Sequence, residues 1–187
     1  MPFLRALDEH RQLAAGLAVL APAVERAAQL WIEALGQGAP ILLCGNGGSA
    51  TDAEHLAGEL VGRFLKDRHA LPAISLGQGI ASLTAVANDY GYEEVFARQV
   101  DAFARPGGVL VAISTSGNSP SIVRAAERAQ GRGLSVIGMT AEGGGRLGEI
   151  ADVLIAVPTK ITARAQEMHI LIGHALCEAA ESALWPG

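Results

Sequence analysis

Five short, predominantly apolar runs constrain this chain most: residues 41–45, 72–76, 109–114, 134–139 and 153–157. Each has strand length, and none keeps a strict apolar–polar alternation, so each reads as a strand buried on both faces. Segments of helical character separate them, at 49–66, about 80–87, 93–103, 119–131, 146–150 and 162–183. Strands that alternate with helices predict an α/β fold, a doubly wound five-stranded parallel sheet of the flavodoxin-like kind. Ligands of such sheets bind outside the carboxyl ends of the strands. The loops that follow the strands are therefore where chemistry is expected.

Long helices flank this core at both ends. Leu13, Leu17, Leu20, Val24, Ala27, Leu30 and Ile32 recur at near-helical spacing within 3–36, and Pro22 predicts a kink there. The chain of 187 residues is 50% apolar and only 18% charged, against a usual charged share of about 25%. That deficit points to surface buried between subunits. The reading is one domain, 1–187, with 1–36 as a helical extension for oligomerisation. A net charge of −5 gives a nucleic-acid partner no support. No unbroken run of about 18 apolar residues is present, so no membrane partner is expected. Met1 to Arg11 carries both signs of charge and lacks a signal-peptide core. Cys44 and Cys177 make no disulfide framework and read as buried thiols of a reducing cytoplasm.

The loop Ser114-Thr115-Ser116-Gly117-Asn118-Ser119-Pro120 joins a buried strand to a helix. Pro120 suits the first helical turn, with Ser119 as N-cap. Ser114, Thr115, Ser116 and Ser119 bring four hydroxyls to a helix start that already offers free N–H groups and a positive dipole end. An ordinary capped turn needs one such hydroxyl. Four of them around Gly117 point to a phosphate cradle. It is no Walker loop, for the Gly-Lys-Ser/Thr element is missing. Nor does Asn46-Gly47-Gly48-Ser49 have the spacing of a dinucleotide fingerprint.

The acid–base candidates lie on two helices. His55 and Glu59 are four residues apart and share a face after the Gly45-Asn46-Gly47-Gly48 turn. Gln166 and His174 are eight apart on the last helix, about two turns. His55, Glu59, Gln166 and His174 together offer two imidazole nitrogens and two oxygens. This set suits a divalent metal such as zinc, nickel or manganese with an open position. It equally suits metal-free proton transfer at carbon. Asn88 and Asp89 sit in a polar turn and read either as sugar contacts or as a helix end. His169 reads as a core or supporting residue, and His10 and His69 as surface residues.

These pieces resemble the SIS (sugar isomerase) domain family, and within it the phosphoheptose isomerases. The resemblance rests on four segments: Asn46 to Phe64, Ala87 to Glu93, Ser114 to Ser119 and Ala163 to His169. It covers nearly the whole chain, and it departs at Ala165, where the family more often has isoleucine. The resemblance implies a cytoplasmic homotetramer with active sites at subunit boundaries. It implies conversion of sedoheptulose 7-phosphate to D-glycero-D-manno-heptose 7-phosphate, the first step toward envelope heptoses. It assigns Glu59 and His174 to catalysis, and His55, Glu59, Gln166 and His174 to zinc. It gives phosphate binding to Ser114, Thr115, Ser116 and Ser119, and other substrate contacts to Asn46, Gly47, Gly48, Asn88, Asp89 and Gln166. Two alternatives accompany it: an isomerase of another phosphosugar, and a non-catalytic sister branch that binds the replication initiator. That branch lacks the counterparts of Glu59 and His174, and this chain has both.

Overall fold

The computed structural model describes residues 1–186. Five strands, β1 (Ile41–Gly45), β2 (Ala73–Ser75), β3 (Val109–Ile113), β4 (Ser135–Thr140) and β5 (Val153–Ala156), form one parallel sheet in the order β2-β1-β3-β4-β5. Successive side chains of a strand point to opposite faces, and the core divides accordingly. Ile41, Leu43, Val109, Val111, Ile137 and Ile155 feed one apolar cluster. Leu42, Cys44, Leu110, Ala112 and Val136 feed the other. The strands read as continuous apolar runs because both faces are covered.

The first cluster is closed by α2 (Ala21–Gly36), α3 (Gly48–Val61) and α8 (Thr162–Leu184). The second is closed by α5 (Ala97–Phe103), α6 (Pro120–Gly131) and α7 (Gly145–Ile150). The chain leaves β1 toward β2 on one side, while β3 lies on the other. The switch point therefore falls between β1 and β3, whose last paired residues are Gly45 and Ile113. The loops after these two strands, 46–47 and 114–119, flank it.

Several expected boundaries move, each for a visible reason. The N-terminal helix breaks at a 3-10 turn, Leu17–Leu20, between α1 (Pro2–Gly16) and α2. Pro22 makes no kink, because it occupies the first turn of α2, where its missing N–H costs nothing. α3 ends at Val61 instead of 66, since the N–H groups of residues 64–66 are taken by a side chain of α8. α4 (Ile80–Tyr90) runs three residues past its expected end and stops at Gly91, whose φ of +91° favours glycine. The expected helix 93–103 is a 3-10 turn, Tyr92–Glu94, followed by α5.

α1 and α4 bury no residue within the chain, and Phe3, Leu4, Leu7 and Ile80 are exposed. The segment Pro2–Gly36 also departs from the expectation about membranes. It is long, apolar and little buried, so length and composition alone admit a membrane-crossing helix. The 3-10 turn and the exposed pair Glu25 and Arg26 interrupt it.

Candidate active site

α3 and α8 cross closely because Gly173 has no side chain. A Cβ there would stand 2.6 Å from both Cδ atoms of Leu56, well inside van der Waals contact. The close approach brings the neighbouring residues His55 and His174 face to face. Their Nε2 atoms are 2.9 Å apart, and their rings are tilted at 56°. Glu59, one turn along α3, places Oε1 3.2 Å from the same His55 nitrogen. Phe64 closes the other side of His174, with ring centroids 5.3 Å apart and planes at 25°. His174 and Glu59 are half-buried, and His55 is open to solvent.

Two imidazole nitrogens at hydrogen-bond distance require either a shared proton or lone pairs converging on a cation. The ligand atoms of His55, Glu59 and His174 all lie within 4.8 Å of one another. Two neutral imidazoles, one carboxylate and an open side match the donor chemistry of a catalytic divalent-metal site, so the residues fit such a metal. Gln166 stands apart from this cluster. Its amide packs against Gly48 at the head of α3, where a Cβ would come within 2.6 Å of Nε2. The structure thus joins three of the four expected ligands and sets the fourth about two turns away along α8. Gly48 is a glycine so that Gln166 can reach the first turn of α3.

Asp52, absent from the sequence-based set, precedes His55 on α3. Its Oδ2 is buried without a hydrogen-bond partner. Burial raises its pKa, and the nearby His55 charge lowers it in part.

The hydroxyl loop follows β3. Ser114 Oγ donates to Ser119 Oγ at 3.1 Å and lies 3.4 Å from Ser116 Oγ. Ser119 stands at the N-cap position of α6 without making a side-chain cap bond, so the helix's first N–H groups keep no hydroxyl partner from it. Gly117 carries φ +65°, and a Cβ there would strike the Gly144 carbonyl at 2.0 Å. The loop after β4 therefore packs directly on the hydroxyl loop. Asn118 Oδ1 accepts from Arg146 N–H, and Thr115 O accepts from Ala141 N–H.

Asn46 spans the switch point. Its Nδ2 donates to Ser121 Oγ at 3.0 Å, and its Oδ1 accepts from Tyr92 O–H at 2.8 Å. A cleft of about 510 Å³ opens there, lined by Asn46, Gly91, Tyr92, Glu93, Ser119, Pro120 and Ser121. Tyr92, Ser121 and Phe64 were missed in the sequence. Phe64 and Tyr92 fall inside segments that carry the resemblance and Ser121 follows the hydroxyl loop, but nothing local says which way these side chains point. Asn88 and Asp89 belong to the last turn of α4, where Asn88 donates to Asp89 at 2.8 Å, and both face solvent outside this cleft.

The remaining histidines divide. His169 is 1% exposed, with Nε2 3.0 Å from the Thr140 carbonyl and Nδ1 unpartnered. Burial holds its pKa below the usual value, although the Thr140 bond opposes this. His10 is no isolated surface group, since its Nδ1 lies 2.7 Å from Glu167 on α8. His69 packs edge-on against Trp185. Cys44 and Cys177 are buried, and desolvation pushes both thiols up to about 12, too high for nucleophiles.

Fold and site define an open α/β protein with a hydroxyl-rich loop at the switch point and a His–Glu–His cluster where α3 crosses α8. The model of the SIS domain family matches residues 7–141. A phosphoheptose isomerase of Rhodospirillum rubrum is 51% identical over 164 residues, which is 88% of this chain and 87% of that protein. One of Nitratiruptor sp. is 56% identical over 146 residues, 78% of each chain. The solved structure of the Neisseria gonorrhoeae phosphoheptose isomerase superposes with a TM-score of 0.92 at 39% identity, over 97% of both chains. The chain belongs to the SIS domain family and, within it, to the phosphoheptose isomerases.

Proposed function

We propose that this chain converts sedoheptulose 7-phosphate to D-glycero-D-manno-heptose 7-phosphate, an aldose–ketose isomerisation that feeds bacterial heptose synthesis. The observation that carries the reading is the convergence of Glu59, His55 and His174 where α3 crosses α8, in a chain that also carries the hydroxyl loop after β3. Relatives named phosphoheptose isomerase, matched over 87% and 78% of their lengths, support it.

The chemistry moves one hydrogen between adjacent carbons through an enediol. Glu59 removes the proton beside the carbonyl and returns it to the neighbouring carbon, a task suited to a carboxylate that reaches both. His174 transfers protons at oxygen. Ser114, Thr115, Ser116 and Ser119 hold the phosphate, with the N–H groups at the start of α6. Anchoring the phosphate there orients the reacting end of the sugar. Asn46, Gly47, Gly48, Asn88, Asp89 and Gln166 are assigned to the sugar hydroxyls. His55, Glu59 and His174 are assigned to zinc, with Gln166 as a fourth ligand once its amide turns from Gly48. Bound there, zinc supplies Lewis acidity at the sugar oxygens.

Residues 1–36 are assigned to assembly, because α1 leaves Phe3, Leu4 and Leu7 uncovered, and the assembly proposed is a homotetramer. The cytoplasm is the assigned compartment. The deciding experiment is turnover of sedoheptulose 7-phosphate by the full chain, before and after chelation. Product formation that chelation abolishes and zinc restores is expected. No turnover by the metal-loaded chain overturns the reading.

A further inference from the structure

Behind the site lies a fully buried ion pair. Arg68 Nε and Glu181 Oε1 are 2.8 Å apart, with side chains 0% and 1% exposed. Two charges taken out of water are costly unless each lone pair and proton finds a partner. Here they do. Glu181 accepts from the N–H groups of Phe64, Leu65 and Lys66 at 2.8, 2.8 and 2.9 Å. Arg68 donates to the carbonyls of Leu60, His69 and Glu59 at 2.9, 3.0 and 2.9 Å. Burial pushes the Glu181 pKa up, but the three N–H bonds and the Arg68 charge hold it below the ordinary range. The carboxylate is thus charged wherever the chain is folded at neutral pH.

Both ends of this pair lead to the site. Glu59 and Leu60 belong to the last turn of α3, whose carbonyls have no partner within the helix. The Arg68 guanidinium satisfies them, and its charge opposes the negative end of the helix dipole. Glu181 lies seven residues after His174, about two turns along the same face of α8. Its carboxylate grips the backbone of Phe64, and the Phe64 ring stacks on His174. One pair therefore ties the backbone of the Glu59 turn to α8, and the ring packed on His174 to that same helix.

We propose that Arg68 and Glu181 are positioning residues for the isomerase site: Glu181 presents Phe64 to the His174 imidazole, and Arg68 fixes the helix end that carries Glu59. This rests on the catalytic assignment of Glu59 and His174 above. Both side chains of the pair are buried, so the role assigned to them runs through Phe64 and the end of α3.

The test compares the full chain with its Glu181→Gln and Phe64→Leu variants. Gln keeps an acceptor oxygen for the loop but loses the charge, and Phe64→Leu leaves the ion pair intact. Two quantities are read: kcat and KM for sedoheptulose 7-phosphate, and the His174 ring signals in histidine-labelled NMR spectra. In both variants kcat is expected to fall about tenfold or more with KM nearly unchanged, as a small misplacement of reacting groups produces. The His174 signals of both are expected to shift in the same direction. A folded Glu181→Gln chain with parental kcat and unmoved His174 signals overturns the proposal. So does a loss of kcat with those signals unmoved. If Glu181→Gln does not fold, Phe64→Leu decides, and parental kcat with unshifted signals overturns the proposal. A parental chain without isomerase activity defeats the functional reading instead, and the His174 signals alone then decide on the positioning.

Discussion

His55 and His174, separated by 119 residues of sequence, meet nitrogen to nitrogen at 2.9 Å. Neither helix could present this pair alone. α3 supplies His55 with Glu59, α8 supplies His174, and the absence of a side chain at Gly173 sets their separation.

If Glu59 carries the carbon-bound proton, Glu59→Gln should lower kcat at least about 100-fold while leaving KM close to parental. His174→Gln should lower kcat as well, with retained binding of the phosphosugar measured by calorimetry. Parental rates in both variants would remove these residues from the reaction.

Gly173→Ala should destabilise the chain by about 1–3 kcal/mol, because the added methyl meets the Leu56 side chain at 2.6 Å. The companion change Leu56→Ala makes room for it. The double variant should therefore be more stable than the sum of the two single losses allows, as a urea-denaturation cycle would show.

Gly117→Ala places a Cβ on the Gly144 carbonyl at a backbone angle of +65°. The two loops cannot both stay in place. A stability loss of about 1–3 kcal/mol is expected. KM should rise, since the hydroxyls of Ser114, Ser116 and Ser119 lose their mutual arrangement. Steady-state kinetics at several substrate concentrations would reveal a KM that stays put, which is the outcome that counts against a phosphate role.

His169 gives the folded chain a pH dependence. Burial holds its pKa below the ordinary 6.5. The unfolded chain then binds the extra proton first, so stability rises with pH across the window below 6.5. The His169 contribution is complete above that value and is lost as pH falls toward the depressed native pKa. Urea unfolding from about pH 5 to 8 should show this slope, and His169→Gln should flatten it.

The sheet could be read from the chain because each strand is buried on both faces, and such a run leaves an unbroken apolar trace. His55 and Glu59 were equally legible, since four residues along a helix fix a shared face. Their meeting with His174 could be reached only by grouping residues of compatible chemistry and by resemblance, because no local pattern states which helices cross. The Asn46 bridge to Tyr92 and Ser121 was illegible for the same reason. So was the role of Arg68 and Glu181, which lie 113 residues apart. α4 was misjudged at its end because Asn88 and Asp89 carry turn chemistry, while the positive φ needed to stop the helix comes only at Gly91.

α8 bears Gln166 against the start of α3, His169 beneath β4, Gly173 at the crossing, His174 in the site and Glu181 in the buried pair. These marks sit on one continuous helix, and each residue of a helix adds about 100° of rotation. The helix is a ruler whose graduations are fixed by phase. Deleting or inserting one residue between 166 and 181 would swing every later mark to another face and dissolve several contacts at once. Variation in α8 is thus confined to exchange of side chains on its exposed positions, such as Leu171, Ala175 and Glu178. Its length is as much a functional constant as any side chain it carries.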